Sequence, residues 1–238
     1  MERTVVFGRL EGYGLLKYKA RTFGKRKNRK SPLLLFFAVF FVATQVMASQ
    51  EHYASYAAFL ATHPSMQPQS MIFDGDLNDD GVQDKVVLLV QPGGRRLQIF
   101  VLKGSSHGGF DVTGKSDAFD YDWGYKGWVS RIAKYTKNGF LITFVANGNN
   151  DISSYTYKFH LDHGVWRLAG AEFESDKESD GNSQVISVNF LTGHFISRSM
   201  DRENKVTKAR HGDRHFRPLI LQEFKYYDTY GLGSLWDD

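Results

Sequence analysis

Nine residues from Asp76 to Asp84 read Asp-Leu-Asn-Asp-Asp-Gly-Val-Gln-Asp, the spacing D-x-N-x-D-G-x-x-D of an oxygen-ligand loop. In such a loop the side-chain oxygens of Asp76, Asn78, Asp80 and Asp84 and the carbonyl of Val82 converge on one cation, and Gly81 takes the sharp turn between them. Hard oxygen donors suit calcium, which accepts roughly six to eight of them, far better than zinc, which takes nitrogen and sulfur. The twelfth position is Val87 instead of the bidentate Glu of a helix–loop–helix site, so the expected affinity is that of extracellular modules, on the order of 10⁻⁴ to 10⁻³ M. Acidic Gly-containing turns also form without metal, because Asp and Asn favour turn conformations unaided. Matching five positions together favours calcium.

A second segment, Asp117-Ala-Phe-Asp-Tyr-Asp-Trp-Gly-Tyr-Lys-Gly-Trp128, alternates carboxylates with large rings. Tyr121, Trp123, Tyr125 and Trp128 are candidate contacts for a glycan or protein, since aromatic faces stack on sugar rings and dominate binding hot spots. The competing reading has Trp123 and Trp128 capping the core while the Asp residues are solvated. Paired carboxylates also serve glycoside hydrolysis, which leaves a small carboxylate-dependent hydrolase as an alternative function. His211 and His215 have the i, i+4 spacing of a metal pair but lie among Gly212, Asp213 and Arg214, where no helix is expected, so a solvated loop is the better reading. The chain has no cysteine to serve as a thiol nucleophile, and no His-Glu-x-x-His motif occurs in the sequence. The catalytic assignment is therefore empty, and binding is the favoured class.

The elements that position these residues follow from periodicity. Tyr53, Tyr56, Ala57 and Leu60 mark a short amphipathic helix within Glu51–His63, which Pro64 ends. From Met71 the pattern changes to period two, with Lys85–Val90 as a buried strand and Leu97, Ile99 and Val101 alternating with Gln98 and Phe100. Asn138-Gly139 joins Trp128–Tyr135 to Phe140–Val145 as a hairpin. A second turn at Asp162-His163-Gly164 joins the alternating strand around Tyr155–Leu161 to Val165–Phe173. Gln184–Phe190 and Phe195–Met200 follow about Thr192-Gly193, then a charged segment and a last strand at Leu219–Tyr226. The fold class is mainly β (α+β): a twisted antiparallel β-meander with one N-terminal helix.

The loop and the strand after it, about Phe73 to Val90, resemble the Asp-rich calcium loops of FG-GAP and VCBS-type modules, in which a loop of this type feeds straight into an apolar strand. Across the Trp128–Phe173 hairpins, Leu168–Phe173 and Ser187–Gly193, the chain also resembles secreted bacterial single-domain proteins of unassigned activity. The resemblance implies a structural cation that braces the fold.

Residues 1–48 look like a cleaved signal peptide. They hold ten Lys or Arg and two acids, with a basic run Lys25–Lys30, an apolar stretch Pro32–Val46 and Val46-Met47-Ala48 before the expected cleavage point. That stretch, fifteen residues apolar but for Thr44 and Gln45, falls short of the roughly 20 needed to cross a bilayer as a helix. Residues 49–238 then form the single expected domain, periplasmic or secreted and free of the membrane. Without the leader the balance is twenty basic to twenty-four acidic residues, a net charge of −4. The basic character of the whole chain belongs to the leader, and a nucleic-acid partner is not expected. The expected partner is a protein or glycan of the cell envelope. A periplasmic inhibitor or immunity protein of an enzyme or toxin shares the same small, exported, acidic profile.

Overall fold

Two antiparallel sheets are stacked face to face, and their apolar residues alternate as that stacking requires. The structure is a computed structural model that describes residues 51–120, 128–147, 151–177 and 181–226. The chain divides into units 1–45 and 46–238, and every described residue belongs to the second. The leader with its expected cleavage at Ala48 lies outside the described residues.

The first sheet uses β1 (His52–Tyr53), β2 (Gln67–Pro68), β3 (Phe73–Gly75), β4 (Asp84–Val90), β5 (Arg96–Gly104), β6 (Phe110–Lys115) and β7 (Phe119–Asp120). Its path is β1-β6-β5-β4-β2, with β3 also on β4 and β7 also on β5. Between β1 and β2 lies α1 (Tyr56–Ala61), six residues long, whose N-cap Ser55 accepts a hydrogen bond from Ala58 N at 3.1 Å. This is shorter than the helical stripe over Glu51–His63, because His52 and Tyr53 pair with Asp111 and Phe110 of β6. Tertiary pairing overrides the local pattern there.

The second sheet is a seven-stranded meander: β8 (Trp128–Thr136), β9 (Gly139–Asn147), β10 (Asp151–Asp162), β11 (Val165–Lys177), β12 (Ser183–Asn189), β13 (His194–Met200) and β14 (Val206–Asp213). Asn138 takes a positive φ of 56° in the β8–β9 turn, and His163 and Gly164 take 47° and 81° in the β10–β11 turn. Two sequence expectations are corrected. One continuous meander is replaced by a meander stacked on a separate sheet of different strand order. Among the described residues the last strand is β14 in the charged segment, while Leu219–Tyr226 instead contains a 3-10 turn at Leu221–Glu223. The reason is burial: Leu221, Phe224 and Tyr226 enter the core between the sheets, where Phe224 meets Phe159 and Tyr157 edge-on at 5.2 and 4.9 Å. β14, largely exposed with only Arg210 and Gly212 half-buried, needs no apolar alternation to pair with β13.

β4 shows why its sequence is apolar without interruption. Val86 and Leu88 face the second sheet with Phe140, Phe144, Tyr157, Phe159 and Trp166, while Val87 and Leu89 face the other way with Phe59 of α1, Phe100 and Leu102. The result is three layers: helix, sheet, sheet. Trp166 also links the sheets directly, donating from Nε1 to Thr113 Oγ1 on β6 at 3.3 Å.

The outward face of β11 carries Glu172, Glu174 and Asp176 at period two. Partial burial, then the charges of Asp176 and Glu172, push the Glu174 carboxyl above its ordinary value. The folded state therefore holds that proton more tightly than the unfolded chain, and stability falls as pH rises from the unfolded value through the raised folded one. Glu174→Gln is expected to raise the urea midpoint at neutral pH and to lose that advantage on acidification through the same window. An unchanged midpoint at neutral pH would contradict the assignment.

Candidate functional site

The loop between β3 and β4 is ordered by its own carboxylates. Asn78 N donates to Asp76 Oδ1 at 3.1 Å, Asp80 N to Asn78 Oδ1 at 3.0 Å and Val82 N to Asp80 Oδ1 at 2.9 Å, so each of these alternate backbone amides is held by the side chain two residues before it. Gly81 N closes the coil onto Asp76 Oδ2 at 2.7 Å. Asp79 and Gly81 take positive φ angles of 62° and 82°, which the coil requires and Gly81 adopts without a Cβ penalty. The backbone hydrogen bonds from Gly81, Asp79, Asp80 and Asn78 hold the Asp76 carboxyl below the ordinary carboxylate value.

Asp84 behaves differently. It is 2% exposed, and its Oδ2 and Oδ1 accept from Leu77 N and Gly104 N, each at 2.8 Å. Burial pushes its carboxyl up, opposed by those two amides and reinforced by the negative charges of Asp80 and Asp76. Gly104 is required by this approach, because a Cβ there would lie 2.2 Å from the carbonyl oxygen of Gln83.

The loop touches both sheets. Leu77, 3% exposed, belongs to the core between them, and its carbonyl accepts from Asn138 N in the β8–β9 turn at 2.8 Å. Lys134 on β8 donates to the carbonyl of Asp76 at 2.7 Å and also pairs with Asp79 Oδ1. Lys103 on β5 lies 3.7 Å from Asp80 Oδ2. The sequence marks Asn138 as a hairpin-turn residue but not as a partner of the loop, Lys103 and Lys134 carry no motif, and only long-range pairing brings these three to it.

The residues fit an oxygen-coordinated cation in part. Asp76, Asn78 and Asp80 are gathered by the coil, whereas Asp84 is committed to two buried amides and retains one lone pair on each oxygen. Among the described residues no group of three or more His, Asp or Glu side chains is already drawn together as a metal cage. A cation here would have to draw the carboxylates inward, with Asn78 Nδ2 giving up its 2.8 Å bond to Asp80 Oδ2.

Of the aromatic segment, Tyr121, Trp123 and Tyr125 lie outside the described residues. Trp128 opens β8 and is 47% exposed, which places it on the surface rather than as a core cap. His211 lies on β14 and His215 beyond its end, so the pair sits on no helix.

Fold and loop together describe a two-sheet β protein with an aspartate-rich loop at the sheet junction. Comparisons with protein-family models, with curated proteins and with solved structures found no match to this chain.

Proposed function

We propose that this chain is an exported binding protein of the bacterial envelope whose fold is braced by calcium at Asp76–Asp84. The observation that carries the reading is the loop's place in the fold: one coil of carboxylates is tied to sheet one through Gly104 and Lys103 and to sheet two through Lys134 and Asn138. Asp76, Asn78, Asp80 and Asp84, with the carbonyl of Val82, would hold the ion. When bound it supplies positive charge that offsets the three ligand carboxylates, including the one disfavoured by burial. The role is structural, in line with the resemblance of the loop to FG-GAP and VCBS-type modules. Calorimetric titration is expected to give one site per chain with a dissociation constant on the order of 10⁻⁴ to 10⁻³ M. Asp80→Ala removes a ligand and should abolish the heat. Equal heats from both proteins would sink the calcium assignment.

Export rests on the leader sequence. The intact mass of the protein recovered from the envelope should correspond to a chain beginning after Ala48. A mass that retains Lys25–Lys30 would contradict cleavage. Binding through Tyr121, Trp123, Tyr125 and Trp128 is supported by the exposure of Trp128 at the start of an edge strand.

A further inference from the structure

The described cations differ in how they are occupied. Lys85, Lys103, Lys134, Lys158, Arg96, Arg167 and Arg217 each face a carboxylate within 4 Å. On the β13–β14 hairpin, by contrast, Arg198, Lys205, Lys208 and Arg210 have no carboxylate partner among the described residues. The segment Arg198–Arg217 holds seven Lys or Arg against three acids, so it is +4 within a chain that is −4 beyond Ala48. The Arg210 guanidinium places Nη1 out of solvent with no hydrogen-bond partner. That is a desolvated donor awaiting an acceptor.

The same hairpin ends the second sheet. β14 pairs with β13 on one side, and its other edge meets no strand among the described residues. Arg214 N donates to Gly193 O at 2.9 Å, which sets the phase of the ladder: Lys208, Arg210 and Gly212 point their backbone groups at β13, and Ala209 and His211 point theirs outward. The opposite edge, β8, is broken by bulges at Val129/Arg131 and Lys134/Thr136, devices that discourage pairing. β14 has one register shift, at Thr207 opposite Ser199 and Met200, and runs in unbroken register from Lys208 to Asp213 with a small residue, Ala209, near its start.

We propose that the free edge of β14 is a strand-addition site for an extended acidic peptide segment, whose backbone pairs with Ala209 and His211 and whose alternate carboxylates face Lys208 and Arg210. Unpaired N–H and C=O groups in a row are satisfied by another strand, which selects a polypeptide over a nucleic acid or glycan. Charge selects the sequence. Antiparallel pairing with a second copy centred on this strand would set Lys208 and Arg210 against the same residues of its twin, and like charges directly opposite are destabilising. Acidic residues at every second position meet both cations on one face.

This proposal rests on the binding-protein reading and names the partner class. The test is fluorescence anisotropy with the full chain and a labelled acetyl-Thr-Glu-Val-Glu-Val-Glu-Thr-amide peptide, against the same peptide with Lys for Glu. The wild type should bind the acidic peptide and not the basic one. Ala209→Pro deletes an outward N–H without removing a bond to β13, and should weaken binding at least ten-fold with an unchanged thermal midpoint. Lys208→Glu with Arg210→Glu, which leaves the backbone alone, should reverse the preference between the two peptides. Equal affinity for both peptides, or a folded Ala209→Pro protein that binds like wild type, would overturn the proposal. So would a concentration-dependent dimer abolished by Ala209→Pro, or an oligonucleotide bound more tightly than the peptide. Failure here with calcium stabilisation intact leaves the calcium-braced reading standing; loss of calcium stabilisation leaves the peptide result unaffected.

Discussion

Asp84→Ala is expected to lower the unfolding free energy by about 3 kcal/mol, measured by urea denaturation in the presence of chelator. The substitution strands Leu77 N and Gly104 N, two buried donors that the carboxylate holds at 2.8 Å each. An unsatisfied buried donor costs about 1 to 3 kcal/mol, so two of them outweigh any relief from removing a charge disfavoured by burial. Chelator matters to the interpretation, since it separates the loss of the two hydrogen bonds from the loss of a metal ligand. A change below about 1 kcal/mol would mean that water reaches both amides and that Asp84 does not knit the loop to β5.

Leu77→Ala should cost a similar amount by a different mechanism. Leu77 is the one apolar side chain that the loop sends into the core between the sheets, at 3% exposure. Truncating a buried Leu costs about 2 to 5 kcal/mol, the transfer of the lost methyl groups plus the cavity left behind. The side chain offers no ligand to a cation. The loss should therefore be equal with calcium and with chelator, unlike Asp80→Ala, whose effect should appear with calcium. If Leu77→Ala instead erased the response to calcium, the loop would be ordered by the core and not by its own carboxylates.

How much was visible in the sequence depended on the distance over which residues act. The meander from β8 to β14 is built from neighbouring strands joined by short turns, and Asn138, His163-Gly164 and Gly193 mark three of them with positive φ angles. Alternation in Tyr155–Leu161 was readable because one face alone is buried. The first sheet was not, since β1 reaches β6 across 59 residues between His52 and Asp111, a pairing that no local pattern announces. The tail was misassigned for a related reason. Leu219, Leu221, Phe224 and Tyr226 look like a strand, yet they fill the core through a 3-10 turn, while the charged run before them forms β14. At the loop, spacing gave Asp76, Asn78, Asp80 and Asp84 but not their duties. Only the fold distinguishes Asp84, buried against two amides, from the solvent-facing Asp80, and only the fold brings Lys134 to the carbonyl of Asp76.

The most direct measurement of the central claim is thermal unfolding of the full chain in chelator and again in calcium, for wild type and Asp80→Ala. A ligand that binds the native state alone adds about 2.7 kcal/mol at 100 times its dissociation constant. For a domain of this size that is expected to raise the wild-type midpoint by roughly 5 to 10 °C, with no rise for Asp80→Ala. A wild-type midpoint that calcium leaves in place, matching the variant under both conditions, would contradict the account and leave Asp76–Asp84 as a metal-free turn that joins the two sheets.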